Sequence, residues 1–344
     1  MPADLRNGTA RLQDVAEAVG ISIKSVSRVL NGESGVSEAR AAQIRETAER
    51  LGYRPNGLAR DLRRGGATGT WGLVIEKTWT QFFESLTRGI AEIADQHSAL
   101  VITAATREAR HEKTTLLELL SRRVDGLIVV PTGSDFSFLA SDAAGGLPIV
   151  FVDRPARGID VDTVLSADRS GARKATEHLL RTGHRRIGLV GANPRLWTIQ
   201  QRAQGYRSAL RAAGIGVQDD LIALGCDTPE SVQEAAVQLI TTRNPATALI
   251  GLNSISTKGI IRALQHLDRH REVALVGFDD FDTADLMQPA TTIVRHDVEA
   301  MGREAARLLD ARIAGANHPP ERLVIEMNVV PRGSGEIPPG GPRP

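Results

Sequence analysis

Several common features are scarce or missing in this chain. A single cysteine, Cys226, occurs among 344 residues, which excludes an internal disulfide and a cysteine-rich zinc site and casts that thiol as a small buried hydrophobe. Aromatic residues make up only 3%, so the core must be built from Val, Leu, Ile and Ala, as in α/β proteins with short aliphatic strands. No run of eighteen apolar residues is present, and the first residues lack the charged-then-apolar order of a secretory signal, which predicts a cytoplasmic protein with no membrane partner. Catalytic signatures are missing as well. There is no GxxxxGK[ST] loop, GxSxG elbow or HExxH pair, and the eight histidines are scattered, so the expectation is a protein that is not an enzyme and needs no metal or cofactor. The formal charge of +1 is too small to argue for or against nucleic acid.

The length suggests two or three domains rather than one core. Residues 1–66 hold eleven Lys or Arg against eight Asp or Glu, a surplus of three, so any DNA binding must rest on where charges sit. The stretch LQDVAEAVGISIKSVSRVLN, from Leu12 to Asn31, carries an apolar stripe at helical spacing (Leu12, Val15, Ala16, Val19), then Gly20, then a second set (Ile21, Val26, Val29, Leu30). Two short helices joined by a tight turn fit that pattern. Gly20 suits a left-handed turn, and Ser22 stands where its oxygen can cap the second helix. The outward face of that helix carries Ile23, Lys24, Ser25 and Arg28, a face able to enter a major groove. A third helix is predicted after Ser37, with Ala41, Ile44, Ala48 and Leu51 inward and Gly52 closing it.

Asn56 to Gly66 reads NGLARDLRRGG, too short and too glycine-bearing to be a stable helix alone. It is either a solvated linker or a segment that orders when DNA neutralises its arginines. From Thr70 the pattern alternates strand and helix. WGLVI (71–75), LVITAA (100–105), DGLIVVP (125–131) and PIVFVD (148–153) predict buried parallel strands of one sheet. RIGLVGA (186–192), ALIGLN (248–253) and VALVGFDD (273–280) predict a second, each sheet doubly wound. Late strands at 291–297 and 323–330 would let the chain recross between the halves. The Pro- and Gly-rich end, residues 334–344, is expected to be disordered.

DVAEAVGIS, VSRVLNG, VSEAR and LGYRPNGLARDL, followed in order by RGI, DGLIVVP, FVDRP, GHRRIGLVG, RAQGYRSAL, VGFDD and TTIVRHDVEAMGREAARLL, resemble the lactose-repressor family of bacterial transcription regulators over residues 12–333. The resemblance implies a small all-α helix-turn-helix head (1–54), a hinge helix (55–66) and an α/β core (67–333) like the periplasmic sugar-binding proteins. Its N-subdomain would span about 69–165 and 297–320, and its C-subdomain about 166–293 and 322–333. It further implies a homodimer, or a dimer of dimers, that reads a near-palindromic DNA operator and is controlled by a small effector, a sugar or sugar derivative, in the core cleft. The competing expectation is a solute-binding protein of the periplasmic type without DNA function, against which the head and the missing signal argue.

On that template Ile23, Lys24 and Arg28 match base-reading positions, where a long cation can donate to guanine and Ile23 can press on a thymine methyl. Ser22, Ser25, Ser27, Asn31 and Asn56 suit the DNA backbone, while Ala59 and Leu62 match a minor-groove pair whose leucine wedges between base steps. For the effector, Arg202, Asn253 and Asp279 match hydrogen-bonding positions, with Asp153 and Arg154 either ligand contacts or a structural ion pair. Trp79, Phe82 and Phe83 are possible stacking faces, with Trp197 and Phe278 from the other subdomain. The chain departs from the family pattern at Arg11, where a capping Ser or Thr is usual, at Gly57, and at Thr80 and Gln81, where Asn-Pro is common. It departs again at Ser254, in place of an aspartate, and at Asp227, where some relatives carry an aromatic.

Overall fold

The computed structural model describes residues 10–30, 35–53, 68–76, 80–106, 109–133 and 135–340. They form two compact units divided at Thr68 and Gly69. The first holds α1 (Leu12–Val19), α2 (Ile23–Leu30) and α3 (Glu38–Arg50). Val15, Ala16, Val19, Val26, Val29, Ala41, Ile44 and Ala48 make its core. Gly20 closes α1 at φ 70, and its amide donates to the Ala16 carbonyl at 3.0 Å. That is the left-handed stop for which a residue without Cβ is suited. Ser22 accepts the Ser25 amide at 3.2 Å, the capping bond expected at the start of α2. Ser37 occupies the corresponding place before α3 without a side-chain bond. Arg11 cannot accept a hydrogen bond, and the first turn of α1 is held instead by the Asp14 carboxylate, which accepts the Arg11 amide at 2.6 Å.

The second unit contains two six-stranded sheets. The N-lobe is built from β1 (Thr70–Glu76), α4 (Gln81–Gln96), β2 (Leu100–Thr106), α5 (Ala109–Ser121), β3 (Gly126–Val129), α6 (Ala140–Ala144), β4 (Ile149–Val152) and β5 (Asp162–Ser166). The chain then enters the C-lobe with α7 (Asp168–Arg181), β6 (Ile187–Gly191), α8 (Trp197–Ala212), β7 (Ile222–Leu224), α9 (Pro229–Thr241), β8 (Ala248–Gly251), α10 (Ser254–His266), β9 (Ala274–Phe278) and β10 (Thr292–Arg295). It returns to the N-lobe for α11 (Val298–Ile313) and β11 (Arg322–Ile325), then ends in the C-lobe with β12 (Asn328–Val330). The orders are β2-β1-β3-β4-β5-β11 and β7-β6-β8-β9-β10-β12. All pairs are parallel except β10 with β12. Each order reverses direction beside its first strand, β1 or β6, the place where such sheets open a crevice for ligands.

Three of the sequence expectations are corrected here. Residues 322–325 do not belong to the C-subdomain: β11 pairs with β5 in the N-lobe, so the apolar run 323–330 is two strands in two sheets, split by the crossing at Glu326 and Met327. LVITAA is not a buried strand. As β2 it is an edge, with Leu100 64% exposed. Residues 334–340, expected to be disordered, are ordered. Ser334 Oγ donates to the Leu275 carbonyl at 2.6 Å and accepts the Thr292 amide at 2.9 Å. Glu336 accepts from Gly333 N at 2.6 Å and Thr292 Oγ1 at 2.9 Å and pairs with His178. Proline and glycine signalled a lack of regular structure, and side-chain bonds to the sheet supply the order. His184, fully buried, joins the same strap through Nε2 and the Ile337 carbonyl at 2.8 Å.

Close helix contacts fix the N-lobe. Gly89 on α4 faces Gly302 on α11, and a Cβ at either would overlap backbone: the Glu299 carbonyl in the first case, the Leu86 carbonyl in the second. This contact buries Leu86, Ile90, Ile93, Met301 and Ala305 together.

Candidate functional site

In the head, burial of Val26 and Val29 orients α2, because residues three apart share a face. Ser22, Lys24 and Arg28 are consequently exposed and Ser25 and Ser27 half-buried. Ile23 is 48% exposed, an apolar side chain left in water at the start of the helix. Asn31, Asn56, Ala59 and Leu62 lie outside the described residues.

In the core, a cavity of about 400 Å³ opens between the lobes. Its walls are the residues that follow strands: Glu76 at the end of β1, Thr132 after β3, Asp153 and Arg154 after β4, Asn193 after β6, Asp227 after β7, Asn253 after β8 and Asp279 after β9. Phe82 and Phe83 enter from the first turn of α4, and Thr198, Ile199 and Arg202 from α8. Of the effector residues expected from the sequence, Phe82, Phe83, Asp153, Arg154, Arg202, Asp227, Asn253 and Asp279 therefore come together. Trp79 lies outside the described residues.

Trp197 and Phe278 are elsewhere. Trp197 is the first residue of α8, and while Thr198 and Ile199 turn to the cavity it lines a separate groove with Ser166, Asp168 and Arg322. Phe278 ends β9 with its ring fully buried in the C-lobe core, whereas Asp279, the next residue, leaves the strand at φ 62 and lines the cavity. The Phe278 ring lies 4.5 Å from the Arg202 guanidinium carbon, so it supports the arginine rather than presenting a face to a ligand. Glu76, Thr132 and Asn193 were missed in the sequence, although each follows an aliphatic run that reads as a strand, and that position is the available signal. Cys226 is half-buried: it packs against the aliphatic core beneath β7 and also lines the edge of the same cavity.

Arg202 organises the floor. Its Nε donates to Asp168 Oδ1 at 2.7 Å, Nη1 to the Leu252 carbonyl at 2.6 Å, and Nη1 and Nη2 to the two Asp279 oxygens at 3.3 Å each. Burial disfavours the guanidinium charge, but Asp279 and Asp168 outweigh it and hold Arg202 protonated beyond the ordinary arginine range. Asp153 and Asp279 adopt φ 70 and 62, left-handed turns that aim each carboxylate back across the strand ends. The Asn253 side-chain oxygen accepts the Ser256 amide at 2.7 Å, which leaves its amide nitrogen as the group available to a ligand. Arg154 reaches the Pro131 carbonyl at 2.8 Å and Glu76 at 3.4 Å, with Nε 3.2 Å from Asp153. It is thus both a wall of the cavity and part of an ion-pair chain.

One guanidinium cannot compensate several buried carboxylates. Burial pushes Asp168 up to about 7, with Asp153 and Asp279 adding to the effect against the pull of Arg202. Its Oδ2 has no hydrogen-bond partner among the described residues. Burial also raises Asp153. His296, in the second crossing, is held neutral because burial lowers it to about 4. Since the folded value of Asp168 lies above its ordinary value of 3.8, its contribution to stability is fully present at low pH and is lost as pH rises from about 4 through about 7. Asp168→Asn is expected to retain the Arg202 bond and to flatten the decline in unfolding midpoint between pH 4 and 7. Parallel urea titrations of the two proteins check this, and identical pH profiles would refute it.

Residues 11–56 match the family of bacterial regulatory proteins called lacI. Residues 68–331 match the family that groups periplasmic binding proteins with the sugar-binding domain of LacI-type proteins. The HTH-type transcriptional regulator CelR of Thermobifida fusca is 32% identical over 336 residues, covering 94% of this chain and 98% of the relative. A solved CelR–cellobiose complex is 29% identical, with a TM-score of 0.71, covering 94% of this chain and 99% of that one. The lac repressor dimer bound to operator and the anti-inducer ONPF is 24% identical with a TM-score of 0.82, covering 95% and 99%, and shares the fold. With a three-helix head that leaves one helix face exposed, a two-sheet core with a cavity at its strand ends, and matches across both units, the chain belongs to the LacI family of transcription regulators.

Proposed function

We propose that the protein is a cytoplasmic, dimeric operator-binding repressor whose core takes a small saccharide. The observation that carries the reading is the coexistence, in one chain, of an exposed, cation-bearing helix face on α2 and a polar cavity at the ends of two doubly wound sheets. In this reading Lys24 and Arg28 donate to base edges, Ile23 makes an apolar base or sugar contact, and the serines at 22, 25 and 27 hold phosphates. Two heads on one dimer read the two halves of a near-palindrome. Ala59 and Leu62, assigned by motif alone, are the hinge pair that enters the minor groove. Arg202, Asn253, Asp279, Asp153 and Asp227 bond to ligand hydroxyls, and Phe82 and Phe83 offer the apolar face.

The three crossings between lobes allow the saccharide to favour one interlobe angle. A ligand shifts DNA affinity only through its different affinities for the two arrangements. Support comes from the CelR–cellobiose complex, in which a relative of the same fold holds a sugar.

Footprinting on DNA upstream of the protein's own and neighbouring genes, with and without a panel of sugars, is the direct test. A protected palindrome whose occupancy changes with one sugar is expected. Failure to protect any palindrome would sink the reading. Lys24→Ala should weaken operator binding by about 1–3 kcal/mol while changing non-specific DNA affinity far less. Equal losses on both DNAs would reassign Lys24 to phosphate contact.

A further inference from the structure

The groove that holds Trp197, about 530 Å³ in volume, is separate from the cavity. The two share the Asp168–Arg202 ion pair as a boundary, for Arg202 lines only the cavity and Asp168 only the groove. Both lobes supply walls to the groove. From the N-lobe come Leu165 and Ser166 at the end of β5, with Arg322 and Val324 on the edge strand β11, whose register sets Val324 opposite Leu165. From the C-lobe come Asp168 to Ser170 in the first turn of α7, then Arg173, and Trp197 at the start of α8.

Two polar atoms in these walls have no partner. Ser166 is 7% and Asp168 2% exposed, and neither Ser166 Oγ nor Asp168 Oδ2 makes a hydrogen bond among the described residues. Buried polar atoms are ordinarily satisfied, so such a pair invites a ligand group that can bond to both. A hydroxyl both donates and accepts, and it therefore suits Asp168 with or without a proton. The rest of the groove is cationic. Among the described residues that line it, three guanidinium groups face the single carboxylate of Asp168. Arg173 is paired with Glu177 at 2.7 Å, but Arg169 and Arg322 are exposed, and their side chains make no hydrogen bond or ion pair among the described residues. Helix α7 starts here without a side-chain cap, so the positive end of its dipole adds to the same field. The half-buried Trp197 and the 52% exposed Val324 add an apolar surface on which a ring can rest.

We infer that this groove is a second ligand site, which takes a phosphate ester of a hydroxylated ring, a sugar phosphate or a mononucleotide. The phosphate goes to Arg169, Arg322 and the start of α7, the hydroxyls to Ser166 Oγ and Asp168 Oδ2, and the ring to Trp197. A plain anion leaves the buried oxygens unmet, and a neutral sugar leaves the arginines unmet. The site stands independently of the saccharide reading of the cavity.

The test is titration calorimetry on the full chain at pH 7.5, with glucose 6-phosphate, ribose 5-phosphate and AMP set against glucose, ribose, adenosine and inorganic phosphate. At least one ester is expected to bind at least about tenfold tighter than both its unphosphorylated counterpart and inorganic phosphate, and the ester that does so tells the sugar phosphate from the nucleotide. The double variant Arg169→Gln/Arg322→Gln, at two exposed positions, should lose about tenfold or more of that affinity, whereas Arg154→Gln, in the cavity, should leave it unchanged. Ser166→Ala should weaken the ester several-fold without lowering the urea midpoint, because its hydroxyl bonds to nothing in the free protein. Failure of every ester to bind, or inorganic phosphate binding as tightly as the ester, overturns the proposal. So does an ester whose affinity falls in the Arg154 variant and holds in the double variant, which would place it in the cavity. An unchanged affinity in the Ser166 variant would reduce the groove to a surface arginine patch and overturn the assignment of the hydroxyls.

Discussion

Arg202→Leu is expected to remove the effector response and to lower the stability of the core by about 3–5 kcal/mol. The side chain is 4% exposed, and three acceptors from three elements depend on it: Asp168 at the start of α7, the carbonyl after β8 and Asp279 after β9. Removing the cation leaves two carboxylates and a carbonyl without donors in a low-dielectric site. The cost comes from those orphaned groups more than from the lost pair. Asp168, already raised by burial, then gains a further drive toward protonation, so the stability loss should be smaller at pH 5 than at pH 8. Arg202→Lys restores the charge but not the planar fork that serves three acceptors at once, and it should recover only part of either effect. Urea unfolding at the two pH values, together with sugar-dependent operator release, measures both consequences. A variant that unfolds at the same midpoint as the parent would show that the aspartates are solvated, and the ion-pair account of the floor would fail.

The parts of this protein that could be read from sequence are those in which a single local signal decides the outcome. Gly20 followed by Ser22 determined the turn and cap of the head, and both bonds are present. Long aliphatic runs bounded by helical stripes placed most core strands. Short or edge strands were harder. DTVLS became β5, fully buried though it begins with Asp162, because Arg312 and the Glu321 amide satisfy that carboxylate at 2.7–2.9 Å from sequence-distant positions. IAL became the short edge strand β7, below the length at which a period can be recognised. The run 323–330 gave one apolar signal for two strands because hydrophobicity does not record which sheet a strand joins. Strand-end logic located most cavity residues, but direction within the site was less legible. Trp197 and Phe278 each lie one residue from a cavity-lining side chain: on a helix a one-residue step changes the face, and Asp279 leaves its strand at φ 62.

RGI at 88–90 was legible only as a mark of family resemblance, and its glycine has a physical reason that leads to a strong effect. Gly89→Leu is expected to destabilise the N-lobe by about 3 kcal/mol, the upper end for overpacking, since the new side chain would meet backbone and not a movable rotamer. A glycine inside a helix costs about 1 kcal/mol relative to alanine, so its presence there must be offset by the approach of α4 to α11 that it permits. Leucine at 89 would push apart the pair that buries Leu86, Ile90, Met301 and Ala305. It would also tilt the start of α4, which carries Phe82 and Phe83 into the cavity, so sugar affinity should fall together with stability. Gly216→Leu is the matching control. That glycine has nothing within 4 Å of its would-be Cβ, and the same substitution there should leave both properties nearly unchanged. Urea midpoints and sugar titrations on the two variants compare an identical chemical change in two settings. Equal stability of the two would mean that α4 and α11 can separate at little cost, and the helix contact would then be no more than a coincidence of small residues.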